Sequence, residues 1–217
     1  MKKQEILAHI DHTQLKPFCT WEDIRTLCEE ALEYQTASVC VPPSYIDRIK
    51  STYGDKINIC TVIGFPNGYN TTAVKEAEIK DALARGCNEV DMVINIGDVK
   101  NGDFDLVEQE IRTLKAATGN HILKVIVETC FLTEEEKIKL CQCVTNAGAD
   151  YIKTSTGFGT GGATIEDIQL FAKHIGPAVK MKAAGGVKSR EDLEMFLAAG
   201  CSRIGTSSAV KMLENEE

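Results

Sequence analysis

Short runs rich in β-branched residues alternate with amphipathic stretches along the whole chain, and this alternation constrains the fold more than any other feature. The strand candidates are Ile6–Thr13 (the weakest), Ala37–Val41, Ile57–Phe65, Glu89–Ile96, Ile122–Thr129, Asp150–Ser155, Ala178–Ala184 and Ser202–Thr206. Between them lie helical patterns with start signals. Thr20 precedes Glu22 and Asp23, Thr133 precedes Glu134, Glu135 and Glu136, Thr164 precedes Glu166 and Asp167, and Ser189 precedes Glu191 and Asp192. A hydroxyl followed by acids accepts from the free amides of a first turn and suits its partial positive charge. Gly86, Gly119, Gly148 and Gly200 each stand just before the next strand candidate, where a helix end calls for a left-handed residue.

Strand followed by helix, repeated, implies a parallel sheet. Roughly eight units in 217 residues is about 27 residues per unit, compact but within reach of a (β/α)8 barrel. An open doubly wound sheet usually carries a glycine-rich turn after its first strand, whereas the turn here reads Gln14-Leu15-Lys16-Pro17. No linker or low-complexity tract divides the chain. The expectation is an α/β protein, a single (β/α)8 TIM barrel domain over 1–217.

Composition narrows the function. The chain carries 32 acidic against 24 basic residues, a net charge of −8, and has no basic run to meet a phosphate backbone, so no nucleic-acid partner is expected. Met1–Ile10 is interrupted by Gln4, Glu5 and His9 and does not read as a signal peptide. No apolar run approaches the roughly 18 residues of a membrane span, so the expected location is the cytoplasm. The nine cysteines are odd in number and scattered, with only Cys141-Gln142-Cys143 closely spaced, unlike a zinc ribbon. They read as small buried hydrophobes in a reducing compartment. His9 and His12 flank Asp11, but His121 and His174 sit in unrelated contexts, so no metal site is expected.

Barrel active sites lie at the C-terminal ends of the strands, so polar residues in or after otherwise apolar strands are the ones to weigh. Asp91, Val93 and Asn95 share one strand face, as do Lys180 and Lys182, and Lys153 closes another strand. Pattern alone does not separate Lys153 and Lys182 from Lys124 and Lys180. Parity turns Lys180 inward near the barrel bottom, where a charge needs a partner. Lysines near an aspartate suit amine chemistry on a carbonyl. A nucleophilic lysine must be neutral, and desolvation or a second ammonium lowers its ordinary pKa of about 10.4. The imine then draws electrons from an adjacent carbon, and Asp91 is placed to relay protons to the resulting enamine. Gly185-Gly186 and Gly205-Thr206-Ser207-Ser208 follow the last two strands, where barrels bind phosphate on backbone amides.

The strings Ile10-Asp11-His12-Thr13, Val62-Ile63-Gly64-Phe65-Pro66, Glu89-Val90-Asp91-Met92-Val93-Ile94-Asn95, Lys153-Thr154-Ser155-Thr156-Gly157-Phe158 and Lys182-Ala183-Ala184-Gly185-Gly186-Val187 together resemble the deoxyribose-phosphate aldolase family, nearly end to end. The resemblance implies a class I, metal-independent aldolase, a carbon–carbon lyase on a (β/α)8 barrel. Such an enzyme cleaves 2-deoxy-D-ribose 5-phosphate reversibly to acetaldehyde and D-glyceraldehyde 3-phosphate, with no metal or organic cofactor. It implies the Schiff base on Lys153, a pKa-lowering partner in Lys182 and proton transfer by Asp91. It also implies phosphate contacts at Gly185, Gly186, Gly205, Ser207 and Ser208, a substrate pocket lined by Asp11 and Thr13, and homodimers or homotetramers. Pro42, Asn67, Lys188 and Phe158 depart from residues common in the family, and Phe158 stands where some relatives carry a phosphate-facing lysine. The competing readings are another Schiff-base aldolase, transaldolase-like or acting on keto acids, and a non-catalytic sugar-phosphate sensor.

Overall fold

Nearly every strand residue is buried on both faces, the condition of a parallel sheet covered by helices outside and side chains within. The computed structural model describes residues 1–214. Eight parallel strands close into a barrel in chain order, the first pairing with both the second and the last. They are β1 (Ile10–Thr13), β2 (Ser38–Val41), β3 (Ile59–Ile63), β4 (Glu89–Val93), β5 (Ile122–Ile126), β6 (Tyr151–Lys153), β7 (Lys180–Ala184) and β8 (Cys201–Thr206). The helices are α1 (Lys3–Leu7), α2 (Trp21–Tyr34), α3 (Ile46–Tyr53), α4 (Thr72–Ala84), α5 (Ile96–Asn101), α6 (Phe104–Thr118), α7 (Glu134–Ala147), α8 (Ile165–His174), α9 (Arg190–Ala198) and α10 (Ala209–Leu213). The expected fold class therefore holds, while the expected boundary at 217 lies outside the described residues.

The start signals fall where the sequence places them. Thr20, Thr133 and Ser189 form capping boxes with Asp23, Glu136 and Asp192, and Thr164 accepts from the Asp167 amide. Each such cap contributes about 1 kcal/mol. Gly148 ends α7 at φ +73°, a conformation that glycine adopts without steric cost.

The N-terminus departs from expectation. Ile6 and Leu7, expected in the first strand, belong instead to a helix, Lys3–Leu7. The Lys2 amide donates to Glu5 Oε2 at 2.9 Å, and the adjacent Ile6 and Leu7 are both fully buried against the packing of α1 on α9 and α10.

The main core lies between the strands and the helices, with Ile24 and Leu27 of α2, Ile79 of α4, Ile111 and Leu114 of α6 and Phe171 of α8. Cys40, Cys60 and Val62 form a smaller cluster apart from it, against Leu15 and Phe65. All nine cysteines are free thiols, and seven of them are buried. Among the described residues no helix is long and apolar enough to cross a membrane.

Candidate active site

Register across the strands assembles the site. Asp91 of β4 lies opposite Lys124 of β5, Lys153 of β6 opposite Lys182 of β7, and Lys182 opposite Arg203 of β8. Their side chains meet inside the barrel. Asp91 Oδ2 accepts from Lys153 Nζ and from Lys182 Nζ, each at 2.7 Å, so the two nitrogens lie within two hydrogen-bond lengths of each other. Asp91 Oδ1 accepts from Lys124 Nζ at 2.9 Å and from the Cys60 thiol at 3.1 Å.

Below this pair of oxygens the layer continues. Lys182 also bonds Asp11, whose other oxygen takes Arg203 Nη1 at 2.6 Å and the Ser38 hydroxyl at 2.8 Å. Lys124 reaches Glu89 at 2.6 Å, and Arg203 grips the same Glu89 through bonds of 2.9 and 3.0 Å. Four cations thus face three carboxylates in near-complete burial.

Burial pushes the Asp91 and Asp11 carboxyls up, but Lys124 and Lys182, with Lys153 on Asp91 and Arg203 on Asp11, outweigh it and hold both below the usual carboxylate range. Burial also works against Glu89, which Lys124 and Arg203 nonetheless keep low. The ammoniums of Lys124 and Lys182 are pushed down by burial and raised further by Asp11 and Asp91, ending above the usual lysine range. In the resting site both are cations and Asp91 is a carboxylate.

This geometry separates lysines that the sequence pattern left equivalent. Lys124 has three carboxylate partners and Lys182 two, whereas Lys153 has Asp91 alone among the described residues. Of the three, Lys153 alone lines a cavity of about 400 Å³ at the C-terminal mouth of the barrel. Lys180, expected inward and in need of a partner, is exposed at the start of β7, its ammonium 5.8 Å from the centre of the Tyr151 ring. The barrel bottom is open enough there for a lysine head to reach water along an aromatic face.

Thr13, Gly185, Gly186, Gly205, Ser207 and Ser208 line the same cavity as Lys153. Asp11, Asp91 and Lys182 do not; they lie fully buried beneath it. Gly185 and Gly186 both have positive φ, which turns the β7 loop around the mouth. A Cβ at Gly205 would come 3.1 Å from Lys182 Cε, so this glycine leaves room for the lysine below. The Ser208 amide donates to Thr206 Oγ1 at 3.2 Å and is therefore already engaged within the loop. Ser207 is exposed at the rim.

A second cavity of about 470 Å³ adjoins the first, sharing Leu15, Lys16 and Phe158 with it. Its other walls include Pro42, Pro43, Tyr45, Val62 and Phe65. Phe65 and Phe158 meet edge to face with ring centroids 5.3 Å apart. Two of the departures from the family pattern, Pro42 and Phe158, thus fall on one apolar wall. Of the other two, Asn67 bonds the Tyr69 hydroxyl at 3.0 Å and Lys188 is exposed.

Lys124, Glu89, Arg203 and Cys60 complete the charged layer without having been singled out as site residues. Glu89 shares the strand parity of Asp91, which was a usable signal; the others depend on cross-strand register. Cys40, Cys60 and Asp91 lie close enough together to hold a cation, and the Lys124 ammonium already sits 3.3 Å from the Cys60 sulfur and on Asp91. His12 points elsewhere, bonding Glu30 of α2 at 2.6 Å.

A parallel barrel with one less-tethered lysine at its mouth, above fixed counter-charges, defines an enzyme of carbonyl chemistry in the aldolase manner. The family model described as DeoC/LacD family aldolase matches residues 5–209, and the chain belongs to that family. It is 66% identical over 217 residues to a deoxyribose-phosphate aldolase from Clostridium botulinum (strain Eklund 17B / Type B), covering 100% of this chain and 98% of that protein. A deoxyribose-phosphate aldolase from Clostridioides difficile (strain 630) is 58% identical, with 99% and 98% covered. Among solved structures, the tetrameric deoxyribose phosphate aldolase from Aeropyrum pernix superposes with a TM-score of 0.89 at 32% identity, covering 98% of this chain and 91% of that one. The aldolase QR15 superposes with a TM-score of 0.92 at 37% identity, with 97% and 95% covered.

Proposed function

We propose that the chain cleaves 2-deoxy-D-ribose 5-phosphate reversibly to acetaldehyde and D-glyceraldehyde 3-phosphate through an imine on Lys153. The observation that carries this reading is the contrast among the buried lysines: Lys153 alone faces the cavity and has a single carboxylate partner. Its neutral amine attacks the sugar aldehyde, and loss of water gives the protonated imine. Asp91, within hydrogen-bond reach of Lys153, takes up the proton that the C3 hydroxyl releases. The C2–C3 bonding electrons move into the imine, leaving an enamine and free glyceraldehyde phosphate. Protonation at C2 and hydrolysis return the lysine and release acetaldehyde. The imine itself is the electron sink, so the scheme calls on no metal or organic cofactor.

Thr13, Gly185, Gly186, Gly205, Ser207 and Ser208 are assigned to the sugar phosphate on the strength of their common cavity with Lys153. Lys182 and Asp11 are assigned to setting the charge around Lys153 from below. The A. pernix relative is a tetramer, and assembly of this chain into homodimers or homotetramers is proposed by that analogy. A cytoplasmic location, with no nucleic-acid or membrane partner, completes the reading.

Borohydride reduction in the presence of acetaldehyde tests it. The peptide containing Ile152-Lys153-Thr154 should gain an ethyl group, and Lys153→Arg should lose both labelling and turnover. Labelling at Lys182 with Lys153 unmodified would overturn the assignment.

A further inference from the structure

Glu128 follows β5 with φ +56° and ψ +65°, in the left-handed region. Gln35 is the other non-glycine residue with positive φ among the described residues, and it ends α2, where that conformation is ordinary. Glu128 ends no helix. Glycine meets the steric demand of such a turn better than any residue with a Cβ, so a glutamate here points to work done by the side chain.

The carboxylate is buried at 2% exposure and crosses to the loop after β6. Its Oε1 accepts from the Thr156 amide at 3.1 Å, and its Oε2 accepts from the Thr156 hydroxyl. Thr156 Oγ1 in turn accepts from the Phe158 amide at 3.0 Å. The loop packs so closely on this carboxylate that a Cβ at Gly159 would lie 3.2 Å from Glu128 Cδ. Thr156 and Phe158 both wall the cavity that opens on Lys153.

We propose that Glu128 is a positioning residue whose left-handed backbone aims a buried carboxylate at Thr156 and thereby fixes the wall formed by Thr156 and Phe158 beside Lys153. This rests on the reading of that cavity as the substrate site. Lys153 itself is held by the β6 ladder and not by Glu128. The effect therefore falls on substrate binding and not on the amine.

Glu128→Gly and Glu128→Gln test it together. The glycine variant suits the backbone and removes the carboxylate, so a purely conformational role predicts wild-type behaviour. The positioning role predicts a rise of about tenfold or more in KM for deoxyribose 5-phosphate, the scale of lost hydrogen bonds to a charged group. Acetaldehyde trapping at Lys153 should stay within about twofold of wild type, separating substrate placement from imine formation. Hydrogen exchange at the Thr156 and Phe158 amides should quicken, a readout independent of turnover. Glu128→Gln, which keeps an acceptor for the Thr156 amide, should recover most of both losses. Wild-type KM and wild-type exchange in the glycine variant would overturn the proposal. Absence of trapping in the wild-type protein would instead overturn the role of Lys153, and the exchange comparison would still decide the role of Glu128.

Discussion

The two sides of the barrel mouth are built from different chemistry. Over β6, β7 and β8 the loops present Gly157, Gly185, Gly186 and Ser207, and the barrel beneath is ionic. Over β2 and β3 they present Pro42, Pro43, Tyr45 and Phe65, above the cluster of Cys40, Cys60 and Val62. Buried ions explain the asymmetry. Each ion removed from water costs several kcal/mol unless oppositely charged neighbours surround it, so charges concentrate on adjoining strands. The rest of the interior is left apolar.

The largest expected effect comes from removing the shared carboxylate. Asp91→Asn leaves buried ammoniums short of a partner, at a cost of about 3–5 kcal/mol, and should lower Tm by roughly 10 °C. Turnover should collapse at every pH while Lys153 still traps acetaldehyde, since imine formation precedes the lost proton relay. A wild-type Tm would mean that Asp91 does not hold the ionic side together. Acid titration sharpens the same point. Asp11, Glu89 and Asp91 are held below their ordinary values, so the stability they contribute is complete above about pH 4 and declines as pH falls through the folded values. Tm measured against pH should fall less steeply on the acid side in Asp91→Asn than in wild type.

Lys182→Met comes next. With that cation gone, the layer is balanced while Lys153 keeps its proton, so the acidic limb of kcat/KM should move up by about one pH unit or more. Activity lost at pH 7 should return in part at pH 9. An unmoved limb would remove Lys182 from the account. Ser207→Asp acts at the rim alone. It should raise KM for deoxyribose 5-phosphate about tenfold and leave unphosphorylated deoxyribose little changed, as expected for a bond worth about 1.5–3 kcal/mol. Equal effects on both substrates would mean that this side of the mouth is not where phosphate binds. The smallest effect is expected at the boundary between the two sides. Phe158→Lys adds an exposed charge worth at most about 1 kcal/mol, lowering KM for the phosphorylated sugar severalfold at low salt and hardly at all at high salt.

The strand and helix order was legible because barrel strands and amphipathic helices differ in period, and because Thr20, Thr133, Thr164 and Ser189 announce helix starts through local hydrogen bonds. Lys153 and Asp91 were legible as charges in apolar strands. What stayed hidden depends on contacts between strands. Nothing local states that Asp91 faces Lys124, or that one Asp91 oxygen serves both Lys153 and Lys182. Parity places Lys180 at the bottom of the barrel but does not state that its head is exposed there against Tyr151, where it needs no buried partner. The helix at Lys3–Leu7 was missed because five residues are too few to establish a period. Glu128 could not be found at all, since its conformation follows from a partner 28 residues ahead.

Closure of β1 on β8 has a consequence for the growing chain. Asp11 is synthesised 171 residues before Lys182 and 192 before Arg203, two of the three cations it pairs with inside the barrel. Until those residues leave the ribosome its carboxylate lacks both of them, and the first strand lacks one of its two neighbours. The charge balance around Lys153 is therefore among the last features the protein acquires. An incomplete chain ending before β8 lacks Arg203, so Asp11 and Glu89 go without one of their partners until synthesis is nearly finished.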